Sequence, residues 1–256
     1  MTIKIMFSKS VQNSKQILNC IKEFKSDLGT VFGNGDRNII KLFDLDGKTI
    51  NIKSFKIPNV VNKVAYKHFR KSKAKRSFEY ATILLQKGIG TPQPLAYFEN
   101  FNKFGLLDSY YVSEHLDCDL TFRELVEIPD YPDHENILRQ FVKFTFDLHE
   151  AGIEFLDHSP GNTLIKKGAE GKYNFYLVDL NRMNFHESMS FTTRMKNFSR
   201  LTPKKDMIKV MSNEYAKYHS ETEEAIFENM WMETVVFQEK FAKKKRLKKR
   251  LKFWKK

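Results

Sequence analysis

Two short segments hold the residues best suited to chemistry. "FLDHSPGNTLI" (Phe155 to Ile165) sets Asp157, His158, Ser159, Pro160, Gly161 and Asn162 between apolar flanks, and "YLVDLNR" (Tyr176 to Arg182) is a second apolar run that stops on Asp179. The spacing Asp157-x4-Asn162, followed by an acid at the end of a later strand, is what phosphoryl transfer to an alcohol requires. One carboxylate orients the hydroxyl and accepts its proton, while an amide oxygen and a second carboxylate hold a divalent metal between phosphate oxygens. Mg2+ suits such hard oxygen donors and keeps water and substrate phosphates in its shell, so few protein ligands are needed. Read one at a time, Asp157 and Asn162 are also ordinary turn residues. His158, inside a polar loop, reads as a structural hydrogen-bonder rather than a chemical group.

The elements that must position these groups follow from periodicity. "GTVFGNGDRNIIKLFDLDGKTINIKSFK" (Gly29 to Lys56) reads as a run of strands, with an Asp46-Gly47 hairpin signal and strict alternation in "TINIKSF". Ser72 to Gly88 reads as a helix, with Ala74, Phe78, Ala81, Leu84 and Leu85 at helical spacing, Ser72 as N-cap and Gly88 just past the end. "TPQPLAYFENF" and "LLDSYYVSEHL" read as two further strands, and His134 to Gly152 as a mostly buried helix. Beyond the polar loop, "TLIKK" and "NFYLVDL" form a strand pair across "GAEGKY", and the chain after Pro203 is helical. Strands with one helix, followed by a helix-rich half with a small hairpin, imply an α+β protein of two lobes, with the seam near Ser113 to Asp119.

Composition sets the bounds. At 256 residues and 41% hydrophobic content, with 23 Phe, the chain can bury a sizeable core. Cys20 and Cys118, far apart, give neither a disulfide framework nor a metal cluster, so a reducing cytoplasmic setting is expected. No stretch approaches the roughly 20 apolar residues that span a bilayer, and "MTIKIMFSKS" lacks the core of a signal peptide. The net charge of +13 is concentrated at one end: "KFAKKKRLKKRLKFWKK" (Lys240 to Lys256) holds eleven Lys or Arg and no acid. The remaining 33 basic side chains nearly balance the 31 acidic ones.

"FLDHSPGN" followed by "LVDLN" resembles the catalytic loop and metal-binding segment of the protein-kinase-like fold. Upstream, "INIKSFKIPNVVNKVAYKHFRKSKAKRSFEYATILLQKGIGTPQPLAYFE" resembles the lipopolysaccharide core kinases, the Kdo/WaaP group, and the likeness runs in order from about Gly29 to Asn184. The resemblance implies a small antiparallel-sheet N-lobe with one helix and a larger helical C-lobe. The expected divisions are an N-terminal segment 1–28, an N-lobe 29–115, a C-lobe 116–239 and a basic tail 240–256. It also implies ATP and Mg2+ as cofactors. Lys53 becomes the lysine on the nucleotide phosphates, Glu79 the helix acid paired with it, Asp157 the catalytic carboxylate, and Asn162 and Asp179 the metal ligands.

Gly33 and Gly35 would cover the phosphates, and Glu114 and Leu116 would lie in the connector that meets adenine. The residues alone leave alternatives open: Lys53 and Glu79 as a surface pair, Lys56 in place of Lys53 after a slip or bulge, and Gly33 with Gly35 as a bare hairpin turn. The sequence departs from the kinase pattern at Phe155, where kinases often have His, and at Leu180-Asn181 in place of Phe-Gly.

The tail mixes Phe241, Leu247, Leu251, Phe253 and Trp254 into its cations, with Leu247 and Leu251 four apart on one helical face. Cations near an anionic surface, together with aromatic insertion, favour a membrane-surface helix over a solvated end or a nucleic-acid contact. The resulting expectation is an ATP-dependent kinase acting on a sugar hydroxyl of the lipopolysaccharide inner core. Its acceptor would be Kdo on lipid A, at the cytoplasmic membrane face, with no nucleic-acid partner. An inactive kinase-like binding module, or a kinase of a protein or small-molecule acceptor, stays open at this point.

Overall fold

The computed structural model describes residues 2–33, 38–56, 66 and 70–253. The chain divides into two compact units, Met1–Asp117 with Asp179–Asn181, and Cys118–Val178 with Arg182–Lys256.

The first unit is built on a six-stranded antiparallel sheet. Its strands are β1 (Thr2–Phe7), β2 (Thr30–Phe32), β3 (Asn38–Leu45), β4 (Lys48–Phe55), β5 (Pro94–Asn102) and β6 (Gly105–Glu114), in the order β1-β5-β6-β4-β3-β2. Alternation in β4 sends Ile50 and Ile52 to one face and Lys53 and Phe55 to the other. On the first face Ile50 and Ile52 pack with Ile17 and Ile21 of α1 (Ser14–Lys22) and with Phe24 of the 3-10 turn that follows. On the second, Phe55 packs with Ala74 and Phe78 of α2 (Lys73–Gln86) and with Tyr97. The α2 cap is the expected one, since the Ser72 side chain accepts the Lys75 N–H and Gly88 takes a left-handed φ of 74°.

Residues 1–28, expected as a separate segment, contain β1 and α1, which belong to this unit. β1 pairs with β5 from Thr2↔Phe101 to Phe7↔Ala96, and α1 supplies core. Neither was legible, because β1 exposes most of its residues and α1 buries only Ile17 and Ile21.

The second unit is mainly helical. It comprises α3 (Phe122–Glu127), α4 (His134–Glu150), α5 (Phe191–Phe198), α6 (Lys205–Ala216) and α7 (Glu223–Phe253), with short strands β7 (Leu120–Thr121), β8 (Ile153–Phe155), β9 (Thr163–Lys167), β10 (Tyr173–Leu177) and β11 (Met183–Phe185). Ile137, Leu138, Phe141 and Val142 of α4 form the centre of its core, with Met207, Ile208, Met211 and Tyr215 of α6 and Ile226 and Met230 of α7. The strands pair antiparallel in two small sets, β10-β9-β7 and β11-β8.

Lys240, expected to open a separate tail, lies inside α7, which runs unbroken from acidic Glu223 and Glu224 into the basic stretch. Its buried positions, Ile226, Met230 and Thr234, recur every four residues and then stop. Phe241 and Leu247 are 56% and 59% exposed, and Phe237 and Phe241 stack with ring centroids 6.2 Å apart. The side chains from 251 on, including Leu251, Phe253 and Trp254, lie outside the described residues. No described helix is long and apolar enough to cross a membrane.

Gly152 couples α4 to the segment that carries Asp157. It has φ 72°, its carbonyl accepts the His186 N–H at 2.8 Å, and a methyl group added there would lie 2.1 Å from the His186 carbonyl oxygen. The β8-β11 pairing, Ile153↔Phe185 to Phe155↔Met183, begins one residue later and delivers Phe155 to the buried start of the loop. A Gly152→Ala variant therefore combines left-handed strain with a backbone clash and should lose more than about 1 kcal/mol in chemical denaturation. Unchanged stability would contradict this packing.

Candidate active site

Alternation in β4 carries Lys53 to the face opposite Ile52, where the side chain is only 14% exposed. A charge so far withdrawn from water needs a partner. It has one: Lys53 Nζ donates to Asp179 Oδ1 at 2.8 Å and lies 5.5 Å from the centroid of the Phe55 ring. Asn181 Nδ2 donates to the same Asp179 oxygen at 2.7 Å. Asp179 itself has φ 59°, a left-handed backbone that Asp tolerates better than most residues. Strand β10 ends at Leu177, so Asp179 sits two residues past the strand rather than on its last residue.

Lys53 therefore meets the expected metal-ligand carboxylate, and not Glu79. Glu79 Oε2 pairs instead with Lys71 Nζ at 2.9 Å, a partly exposed contact between α2 and the residue just ahead of its N-cap. The Lys53–Glu79 pair expected from the resemblance is not formed, because Asp179 takes the Lys53 ammonium and Lys71 takes the Glu79 carboxylate. Lys56, the rival lysine, is exposed beyond the end of β4, where its N–H donates to Asn38 Oδ1 at 3.4 Å.

Gly33 follows β2 with φ 79°, and Gly35 lies outside the described residues. Glu114 closes β6, with its N–H on the Gln93 carbonyl, and the His115 N–H meets the Thr49 carbonyl. Among the described residues the Leu116 N–H has no acceptor.

The loop of the second unit is held from behind. Phe155 is fully buried, and its carbonyl accepts from Asn197 Nδ2 at 2.9 Å. Asn197 Oδ1 in turn accepts from His149 Nε2 at 3.2 Å, and His149 Nδ1 accepts from the Tyr215 hydroxyl at 2.9 Å. Arg194 reaches the same Tyr215 hydroxyl at 3.4 Å and pairs with Glu150. His158 is also fully buried, against the rings of Phe141 and Phe155 at 5.6 and 5.7 Å. Neither ring nitrogen has a partner in good hydrogen-bond geometry among the described residues, and the ring fills space behind the loop.

Burial pushes the His158 pKa down to about 4 and that of His149 to about 3, with Asn197 offsetting the effect only in part. The Phe155 departure is thus explained: a ring fills the core and Asn197 holds the backbone.

The 3-10 turn Pro160–Asn162 orients Asn162, whose Nδ2 donates to the Asp157 carbonyl at 2.8 Å. The Val178 N–H, one residue before Asp179, donates to the Asn162 carbonyl at 3.0 Å. Asn162 Oδ1 and Asp179 Oδ2 have no partner among the described residues, so a hard oxygen donor stays free on each. Each is a hard oxygen of the kind Mg2+ takes, an ion that needs few protein ligands and completes its shell with phosphates and water. No cluster of three or more His, Cys, Asp or Glu that could cage a metal occurs among the described residues.

Asp157 itself is ion-paired. Arg200 Nη2 lies 2.7 Å from Asp157 Oδ1, and Arg200 Nη1 donates to the Leu156 carbonyl at 2.9 Å. Arg200 and Asn197 carried no signal in the sequence, since both sit on or just past a helix some forty residues downstream of the loop. Asn181 was visible in "VDLNR" as a departure, and its role in holding Asp179 becomes clear only from the geometry.

A two-unit α+β molecule with a lysine on the sheet, a carboxylate after a later strand and an Asp-x4-Asn loop has the protein-kinase-like fold. The family described as Lipopolysaccharide kinase (Kdo/WaaP) matches residues 33–221, and the chain belongs to it. It is accordingly a phosphotransferase of a family that phosphorylates sugar hydroxyls. The solved structure described as WaaP in complex with acyl carrier protein is similar over 94% of this chain and 98% of that one. Its TM-score is 0.62 at 15% identity, a likeness of fold. No curated protein matches the chain.

The buried histidines make a pH prediction. Their folded pKa values lie below the unfolded value of about 6.5, so the unfolded chain binds more protons and stability is lost as pH falls from about 6.5 toward 4. Between pH 6.5 and 5 the slope should approach two protons, about 2.7 kcal/mol per pH unit at most. Denaturant midpoints flat across that window would show that these rings are not buried neutral.

Proposed function

We propose that this kinase transfers the γ-phosphoryl group of ATP to a hydroxyl of Kdo on lipid A, with Mg2+ as the metal, at the cytoplasmic face of the membrane. The observation behind this reading is the Lys53–Asp179 pair, which brings together the two side chains to which the family pattern gives phosphate and metal. Lys53 would hold the α- and β-phosphates, with its ammonium exchanging Asp179 for phosphate oxygens. Asp179 Oδ2 and Asn162 Oδ1 would hold Mg2+, which when bound supplies positive charge to the phosphate oxygens. Asp157 would orient the acceptor hydroxyl and take its proton. Glu79, paired with Lys71, would act on Lys53 only after changing partner. Gly33 and Gly35 would cover the phosphates, and the free Leu116 N–H, beside Glu114, is suited to meet adenine.

Incubation with Kdo-bearing lipid A and γ-labelled ATP tests this reading. Wild-type protein should label the sugar, and Asp157→Asn should lose about 10²-fold or more of the rate while keeping its thermal shift with nucleotide. Absence of label on Kdo with the wild-type enzyme would reject the acceptor.

The basic half of α7 supports the membrane placement. Its cations are worth about 1 kcal/mol each near an anionic surface, and Phe241 and Leu247 are exposed among them. The protein should co-sediment with phosphatidylglycerol vesicles, more weakly at high salt, and poorly with phosphatidylcholine. Removal of Lys240 to Lys256 should abolish that binding, and equal binding before and after removal would argue against it.

A further inference from the structure

Asp157 does not stand free: one of its two oxygens is engaged. Arg200, just beyond the end of α5, is ion-paired with Asp157, its Nη2 2.7 Å from Oδ1, while its Nη1 donates to the Leu156 carbonyl at 2.9 Å. A guanidinium can donate from one nitrogen to a carbonyl while it holds a carboxylate with its charge, and it does so from a rigid planar group that an ammonium does not have. Among the described residues Asp157 Oδ2 carries no hydrogen bond, so the pairing leaves one oxygen for an acceptor hydroxyl. Three residues earlier on the same helix, Asn197 holds the carbonyl of Phe155. The end of α5 therefore grips two successive carbonyls ahead of the catalytic carboxylate, and Arg200 adds the carboxylate itself.

Arg200 is in turn seated by another element. Its guanidinium carbon lies 5.5 Å from the centre of the Phe237 ring, on α7. Phe237 stacks on Phe241 one turn further on, and Lys240, between them in sequence, opens the basic run. A continuous path of contacts thus runs from the cationic half of α7 through Phe237 and Arg200 to Asp157.

We propose that Arg200 is the positioning residue that presents Asp157 to the acceptor hydroxyl, and that α7 sets Arg200 through Phe237. This deepens the role proposed above for Asp157 and rests on it. Arg200 makes no covalent step. It fixes the free oxygen of Asp157 against rotation, which belongs to turnover rather than to nucleotide affinity. The same path gives the basic half of α7 a mechanical connection to the carboxylate, so a surface that orders this helix also orders Arg200.

The test is a set of kinetic cycles on the full-length protein with Kdo-bearing lipid A as acceptor. Arg200→Gln should lower kcat about 10²-fold, with the KM for ATP and the nucleotide-induced thermal shift unchanged. Arg200→Lys, which keeps the charge and preserves the fold if the amide does not, should fall between the two. Asp157→Asn with Arg200→Gln should be no slower than Asp157→Asn alone, whereas a merely structural loss would add. Phe237→Ala should give a smaller loss of kcat that disappears in the Arg200→Gln background.

Wild-type kcat in Arg200→Gln, additivity with Asp157→Asn, or an effect confined to the KM for ATP would overturn the proposal. Wild-type kcat in Phe237→Ala would overturn its α7 half. If Asp157→Asn itself retains full turnover, the failure lies with the role given to Asp157 and the Arg200 proposal falls with it. If only Arg200→Gln retains it, the role of Asp157 survives.

Discussion

A lysine drawn out of water by its place on a sheet must find an anion, and in this chain it finds one 126 residues away. The Lys53–Asp179 pair decides much else about the molecule. It ties Asp179–Asn181 to the first unit while the residues on either side belong to the second. The left-handed turn at Asp179 persists because its Oδ1 is fixed twice, by Lys53 and by Asn181. Leu180 and Asn181, where many kinases have Phe-Gly, suit that arrangement, since Leu180 is buried and Asn181 donates to the acid before it. The pair also leaves Asp179 Oδ2 open, so the charge arrangement without nucleotide and the one proposed with it differ by an exchange of partners rather than by new groups.

The second unit solves a different problem, which is how to keep a polar loop rigid on an apolar core. Direct burial of the loop would strand its backbone carbonyls. Instead Phe155 and His158 turn their rings inward, and Asn197 and Arg200 satisfy the carbonyls of Phe155 and Leu156. His149 then links Asn197 to the Tyr215 hydroxyl, which extends the chain into the core. A neutral His149 is required for this chain, because its Nδ1 accepts from Tyr215 while its Nε2 donates to Asn197.

Local pattern made much of this legible. The alternation of β4 placed Lys53 opposite Ile52, Ser72 and Gly88 marked the ends of α2, and apolar spacing gave α4. Asp157, Asn162 and Asp179 were readable as a group because their spacing is short and their flanks are strand-like. What stayed hidden depends on long-range pairing. The partner of Lys53 was expected on the adjacent helix, at Glu79, and lies instead on a turn late in the chain. Arg200 had no local signature, since an arginine just past a short helix is an ordinary surface residue until the fold carries Asp157 to it. α7 misled in the other direction: its change of composition at Lys240 looked like a boundary, yet helix propensity is indifferent to the sign of the charge, so the helix continues.

In the proposed mechanism Asp179 is the carboxylate through which Mg2+ would join the nucleotide, and Lys53 would then be released to the phosphates. Calorimetric titration of ATP with and without Mg2+, on the wild-type chain and on Asp179→Asn, addresses it most directly. The account predicts that Mg2+ tightens ATP binding to the wild type. In Asp179→Asn that gain should vanish while metal-free ATP still binds, since Lys53 no longer has a carboxylate to give up. An undiminished Mg2+ effect in Asp179→Asn would contradict it.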